Sequence, residues 1–130
     1  MNTLRFQRVV GWLGAFFFLG SGLWAFFGPR SFFDQLATFE PYNRHFIHDV
    51  GSFSIGVGAV LVIALVTNWD ALRVALAGAG VGAVFHVISH AIDSDLGGKS
   101  TDVPGLLLVA IALVAAAGAP RRDREQVPSA

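Results

Sequence analysis

All four histidines of the chain fall into two short clusters, and each cluster carries an aspartate. The first is His45, His48 and Asp49, within Tyr42-Asn43-Arg44-His45-Phe46-Ile47-His48-Asp49-Val50-Gly51; the second is His86, His90 and Asp93. Imidazole and carboxylate groups in this number are ligands that zinc, iron, manganese or copper accept. Zinc is the favoured ion. One ion would take three histidines and one aspartate, leaving the remaining groups to orient the ligands or act as a base. Two ions are the other arrangement. An open coordination position would permit hydrolysis of a lipid-like ester or amide by metal-bound water, so catalysis is left open. Haem held between facing histidines is a less favoured variant. The bland alternative is a hydrogen-bonded His–Asp network, structural or proton-carrying, in a small membrane subunit or scaffold with no enzymatic role.

The elements that position these clusters are strongly apolar. Hydrophobic residues make up 54% of the 130 positions and charged residues only 14%, with a mean hydropathy of +0.61. Soluble domains carry about a quarter charged residues, so the composition points to a membrane protein. The formal net charge is zero, which gives no sign of a nucleic-acid partner, and membrane lipid is the expected surrounding. With no cysteine in the chain, disulfides, thiolate ligands and thiol catalysis are excluded. Eight arginines to one lysine, amid abundant Ala, Gly and Val, suggest a GC-rich bacterial genome.

Four spans are expected, at about 9–27, 44–66, 71–92 and 104–119, giving an all-α four-helix membrane domain over residues 1–120. The first apolar run is longer than the 7–15 residues of a signal-peptide core, and Phe26-Phe27-Gly28-Pro29 is a poor cleavage site, so the run is expected to remain as a helix. Gly28-Pro29 ends it. Ser31-Phe32-Phe33-Asp34 then reads as the start of a short interfacial helix over 31–39, capped by Ser31, with Phe32, Phe33, Leu36 and Phe39 on one face. The connection Thr67-Asn68-Trp69-Asp70 is short enough to make the second and third spans antiparallel neighbours. Pro104 opens the last span. Residues 121–130 read as a charged, disordered cytoplasmic tail.

Basic residues set the orientation. Arg5, Arg8, Arg73, Arg121, Arg122 and Arg124 lie on the side of the termini, against Arg30, Arg44 and Lys99 on the other. The positive-inside rule then places both termini in the cytoplasm of a multi-pass protein of the bacterial plasma membrane. Both histidine clusters fall at the outer end of one helical hairpin. Asp49 lies about 27 Å from Thr67 and His86 about 24 Å from Asp70, at 1.5 Å per residue, so their depths match. At about 100° per residue, each cluster forms a compact polar face. Gly78-x-x-x-Gly82, Ser52-x-x-x-Gly56 and Ser54-x-x-x-Gly58 would let the two helices approach closely and bring those faces together. Asp95 and Asp102 read as solvated loop residues, and Arg73 as a side chain snorkelling to lipid phosphates. Trp12 and Trp24 read as lipid anchors or packing residues.

Gly28-Pro29-Arg30-Ser31-Phe32-Phe33, the stretch Tyr42–Gly51 and His86-x-x-x-His90-x-x-Asp93 together resemble an uncharacterised family of small four-helix integral membrane proteins from actinobacteria. The likeness covers roughly residues 10–118. It implies the four-helix architecture and carries over no activity and no functional residues. A homo-oligomer or a larger membrane complex is compatible with the sequence.

Overall fold

A computed structural model describes residues 3–120; the charged tail expected over 121–130 lies outside them. Five helices follow in order: α1 (Thr3–Phe27), α2 (Pro29–Gln35), α3 (Arg44–Thr67), α4 (Trp69–Ile92) and α5 (Asp102–Gly118). Of these, α1, α3 and α4 have 25, 24 and 24 residues and are long and apolar enough to cross a membrane. The apolar α5 is shorter, at 17 residues, or about 25 Å. The chain is therefore an all-α membrane protein with three long candidate spans.

The α1–α2 elbow differs from the expectation. Helix α2 starts at Pro29 rather than Ser31 and stops at Gln35 rather than 39. Proline at the first helical position has its φ preset and lacks only an N–H that would be orphaned there anyway. Ser31 does not cap α2. Its hydroxyl donates to the Gly28 carbonyl at 3.0 Å and accepts from Trp24 Nε1 at 2.8 Å, fastening α2 to the end of α1. Phe32 and Phe33 are buried with Ala25 and Ile47 in a small core of their own. Leu36 is exposed, and Phe39 leaves that face to make a single antiparallel bridge with Gly97.

The α3–α4 turn is one residue long. Asn68 ends α3 and caps α4, its side chain accepting from the Ala71 N–H at 2.9 Å. At the same end of the bundle the buried Gln7 donates through Nε2 to the Ala116 carbonyl at 2.7 Å. Arg73, expected to snorkel to lipid phosphates, donates through Nε to the Ala117 carbonyl at 3.3 Å, capping the orphaned end of α5. The start of α1, the α3–α4 turn and the end of α5 thus share one end, and the histidines lie at the other.

The closest packing joins α1 to α3 and α4 to α5. A Cβ on Gly22 would stand 2.8 Å from the Ile55 nitrogen, and one on Gly51 would stand 2.8 Å from the Phe26 nitrogen, so backbone meets backbone here. Ser54-x-x-x-Gly58 also serves this contact, because Gly58 abuts Leu19 of α1 rather than α4. The expected α3–α4 approach through the other small-residue pairs is corrected. Cβ atoms on Gly56, Gly78 or Gly82 would meet nothing within 4 Å, and an apolar groove opens between the two helices instead.

Gly51→Ala should therefore cost about 1–3 kcal/mol through overpacking against backbone. Gly78→Ala should be neutral or stabilise by up to about 1 kcal/mol through helix propensity. Reversible unfolding in detergent micelles measures both; equal effects at the two positions would contradict this assignment of contacts.

Candidate functional site at the C-terminal end of α4

The first cluster stays on α3. His45 Nε2 lies 3.6 Å from Asp49 Oδ2 one turn on, and their side chains are 88% and 51% exposed. At that exposure the pair contributes little to stability. His48 tilts onto the Phe26 ring of α1, with centroids 5.3 Å apart. Its carbonyl, rather than its imidazole, accepts from the Ser52 hydroxyl.

The second cluster is closer-knit. His86 and His90 are four residues apart on the last turns of α4, and their Nε2 atoms are hydrogen-bonded at 3.1 Å, the tautomers deciding which donates. On the far side of the His90 ring, Nδ1 lies 3.8 Å from Asp102 Oδ2. The side chains of His90 and Asp102 are only 18% and 14% exposed. Asp93 does not join them through any contact comparable to these; its backbone ends α4, donating to the Ser89 carbonyl.

Asp102 is held from two directions. It occupies the first turn of α5, where the helix dipole favours a carboxylate. Its Oδ2 also accepts the Lys99 N–H at 2.8 Å. The loop that delivers Asp102 folds over the α2–α3 connection. Lys99 Nζ donates to the Gln35 carbonyl, Gly97 bridges to Phe39, and the Phe39 ring stands edge-on to His90 at 5.1 Å. Glycine is required at 98. Its φ is +83°, and a Cβ there would lie 2.8 Å from Phe39 Cζ and 3.0 Å from Asp102 Oδ2.

Chemically, the arrangement is a line of three groups, Asp102, His90 and His86. A carboxylate facing Nδ1 favours the tautomer with its proton there, which leaves the His90 Nε2 lone pair directed at the space shared with His86. Among the described residues, no three of His, Asp and Glu converge closely enough to hold a metal ion. The six residues singled out from the sequence thus divide into the His45–Asp49 pair, His48 against α1, the His86–His90 pair, and Asp93 at the helix end. Asp102, expected to be solvated, is the correction. It is partly buried and partnered because α5 begins two residues before Pro104. An aspartate in a first helical turn is a start signal, and reading Thr101-Asp102-Val103-Pro104 that way would have placed it level with His90.

Nearby, Arg30 pairs with Asp34 at 2.9 Å and its guanidinium lies over the Phe33 and Tyr42 rings. The Asp34 bond and charge raise the Arg30 pKa above its ordinary value.

The fold and these residues define a helical membrane protein with a His–His–Asp line at the end of one span. No family model, no curated protein and no solved structure matches the chain.

Removing the Asp102 carboxylate leaves the Lys99 N–H without its charged acceptor, a bond worth about 1.5–3 kcal/mol. Asp102→Ala should therefore speed hydrogen exchange at the Lys99 amide by at least about tenfold, since 1.4 kcal/mol is a factor of ten. An unchanged rate, followed by NMR, would mean that the carboxylate does not organise the loop.

Proposed function

We propose that this is an integral protein of a bacterial plasma membrane that binds a transition-metal ion, zinc by preference, at the outer end of α4. The ligands would be Nε2 of His86 and His90, with Asp102 behind His90 holding its tautomer. The observation that carries the proposal is the 3.1 Å separation of the two Nε2 atoms. Two nitrogens bound to one zinc at about 2.0–2.1 Å and a tetrahedral angle stand about 3.3 Å apart. Two nitrogens on opposite sides of a metal would stand about 4 Å apart by the same bond lengths, so the spacing speaks against an axial haem pair. Water or an external oxygen ligand would complete the coordination, leaving positions open to a substrate. Neither His45 nor His48 is assigned to the ion, because their contacts lie on α3 and α1.

The membrane placement extends the proposal to four crossings. A length of about 25 Å for α5 is near the lower limit for a span, and its end meets the start of α1 through Gln7 and Ala116. Both termini are then cytoplasmic and the histidines outward-facing, in keeping with the distribution of basic residues.

A structural role is the second reading, favoured by the way the same groups fasten the 93–101 loop over Phe39. The two readings separate in one titration. Zinc binding by the purified protein, followed calorimetrically with metal content checked by mass spectrometry, should vanish in His86→Ala and His90→Ala. It should weaken about 10–100-fold in Asp102→Asn, the usual cost of removing a partner behind a ligand. His48→Ala should bind as the parent does. A parent protein that takes up no zinc, or the same affinity in all variants, would leave only the structural role.

Topology has its own test, made simple by the absence of cysteine. In intact cells a membrane-impermeant maleimide should label Asp95→Cys and spare Thr67→Cys. The reverse pattern would contradict the orientation.

A further inference from the structure

We propose that the groove between α3 and α4 holds the acyl chain of a membrane lipid, with the lipid's headgroup at the histidine-bearing mouth. The headgroup part rests on the metal reading above; the chain part does not. The cavity has a volume of about 850 Å³ and runs along α3 from Ser52 to Ala64, facing Ala71 to Ala79 of α4. Its walls are apolar apart from Ser52 and Asp70 near the two ends.

The dimensions choose the occupant. Ser52 to Ala64 spans about 18 Å at 1.5 Å per residue, and the groove is open along one side. A flexible hydrocarbon chain fits, and nothing polar along the walls obstructs it. Gly56 and Gly78 make the room, since neither has any atom within 4 Å of its Cβ position.

Both polar clusters lie in line with this groove. At about 100° per residue, His45 and Asp49 fall within about 20° of Gly56 around α3, and His86 falls about 20° from both Ala75 and Ala79 around α4. The walls therefore continue outward, into Asp49 about one turn and His45 about two turns beyond Ser52, and into His86 about two turns beyond Ala79. An amphiphile with one apolar chain and a polar, oxygen-bearing head matches that sequence of surfaces. Its head would meet the open metal positions while its chain lies between the helices.

The test uses the full chain in nanodiscs doped with a phosphatidylcholine bearing a photoactivatable diazirine midway along one acyl chain. Crosslinks mapped by mass spectrometry should concentrate on Gly56, Val60, Ala75 and Gly78, well above Leu13 and Phe16, which are exposed on α1. Gly78→Leu, whose Cβ would have open space and whose side chain would project into the groove, should lose those crosslinks and keep zinc binding. His86→Ala should lose zinc and keep the midchain crosslinks, so failure of the metal reading leaves the chain site standing. Equal labelling of α1 and the groove, or labelling unaffected by Gly78→Leu, would overturn the proposal. So would oxidation of Gly56→Cys into a disulfide-linked dimer, which would give the groove to a second copy.

Discussion

The contact of Gly22 with Gly51 sets the rest of the structure. Inside a bilayer, lipid tails are as apolar as the helix surfaces, so helices associate through close packing rather than by escaping water. Backbone reaches backbone where a glycine leaves out the Cβ, and α1 and α3 meet at that distance at Gly22 and Gly51. The Gly51–Gly58 face of α3 is thereby committed to α1. Gly80 of α4 abuts Val114 and Leu113, which commits that helix to α5 in the same way. Little packing surface remains between α3 and α4 beyond the Asn68 turn, and the groove is the consequence. The hairpin is continuous in sequence and divided in space.

That division explains the arrangement of polar groups. His45 and Asp49 on α3 pair with each other, and His48 rests on Phe26 of the partner helix. On α4, His86 and His90 are one turn apart and next to the start of α5, so Asp102 becomes their neighbour. The carboxylate is tied by the Lys99 N–H, and the loop carrying it is locked over Phe39 by two glycines with positive φ. An aspartate placed in this way costs less than one within a span, because a helix N-terminus and a backbone donor both offset its charge. A line of carboxylate, imidazole and imidazole is thus assembled from two helices and the loop between them.

Much of this was legible in the sequence. Apolar runs bounded by Gly28-Pro29, Pro41 and Asn68 placed α3 and α4 to within two residues and the end of α1 at Phe27, because breakers act locally. Helix α1 begins six residues before the expected span, since helix continues through Arg5 and Arg8. That both clusters lie at the same end of the α3–α4 hairpin followed from counting. Helix rotation was not legible, because Gly51-x6-Gly58 and Gly78-x-x-x-Gly82 look equally fit to pack. Only the competition among partners assigns the first to a close contact and leaves the second open. Asp102 was hidden by reading Pro104 as the helix start, although a proline fits anywhere in a first turn whose N–H groups have no partner. The contacts of Lys99 and Phe39 depend on two loops meeting, which no single stretch of sequence encodes.

The central claim is that His86 and His90 bind one metal ion together. X-ray absorption at the zinc edge of the metal-loaded protein tests this most directly. Two imidazole nitrogens at about 2.0–2.1 Å, with the outer-shell scattering of the rings, are the predicted result. A first shell of oxygen alone, or ring scattering that persists in a His86→Ala/His90→Ala double variant, would contradict it.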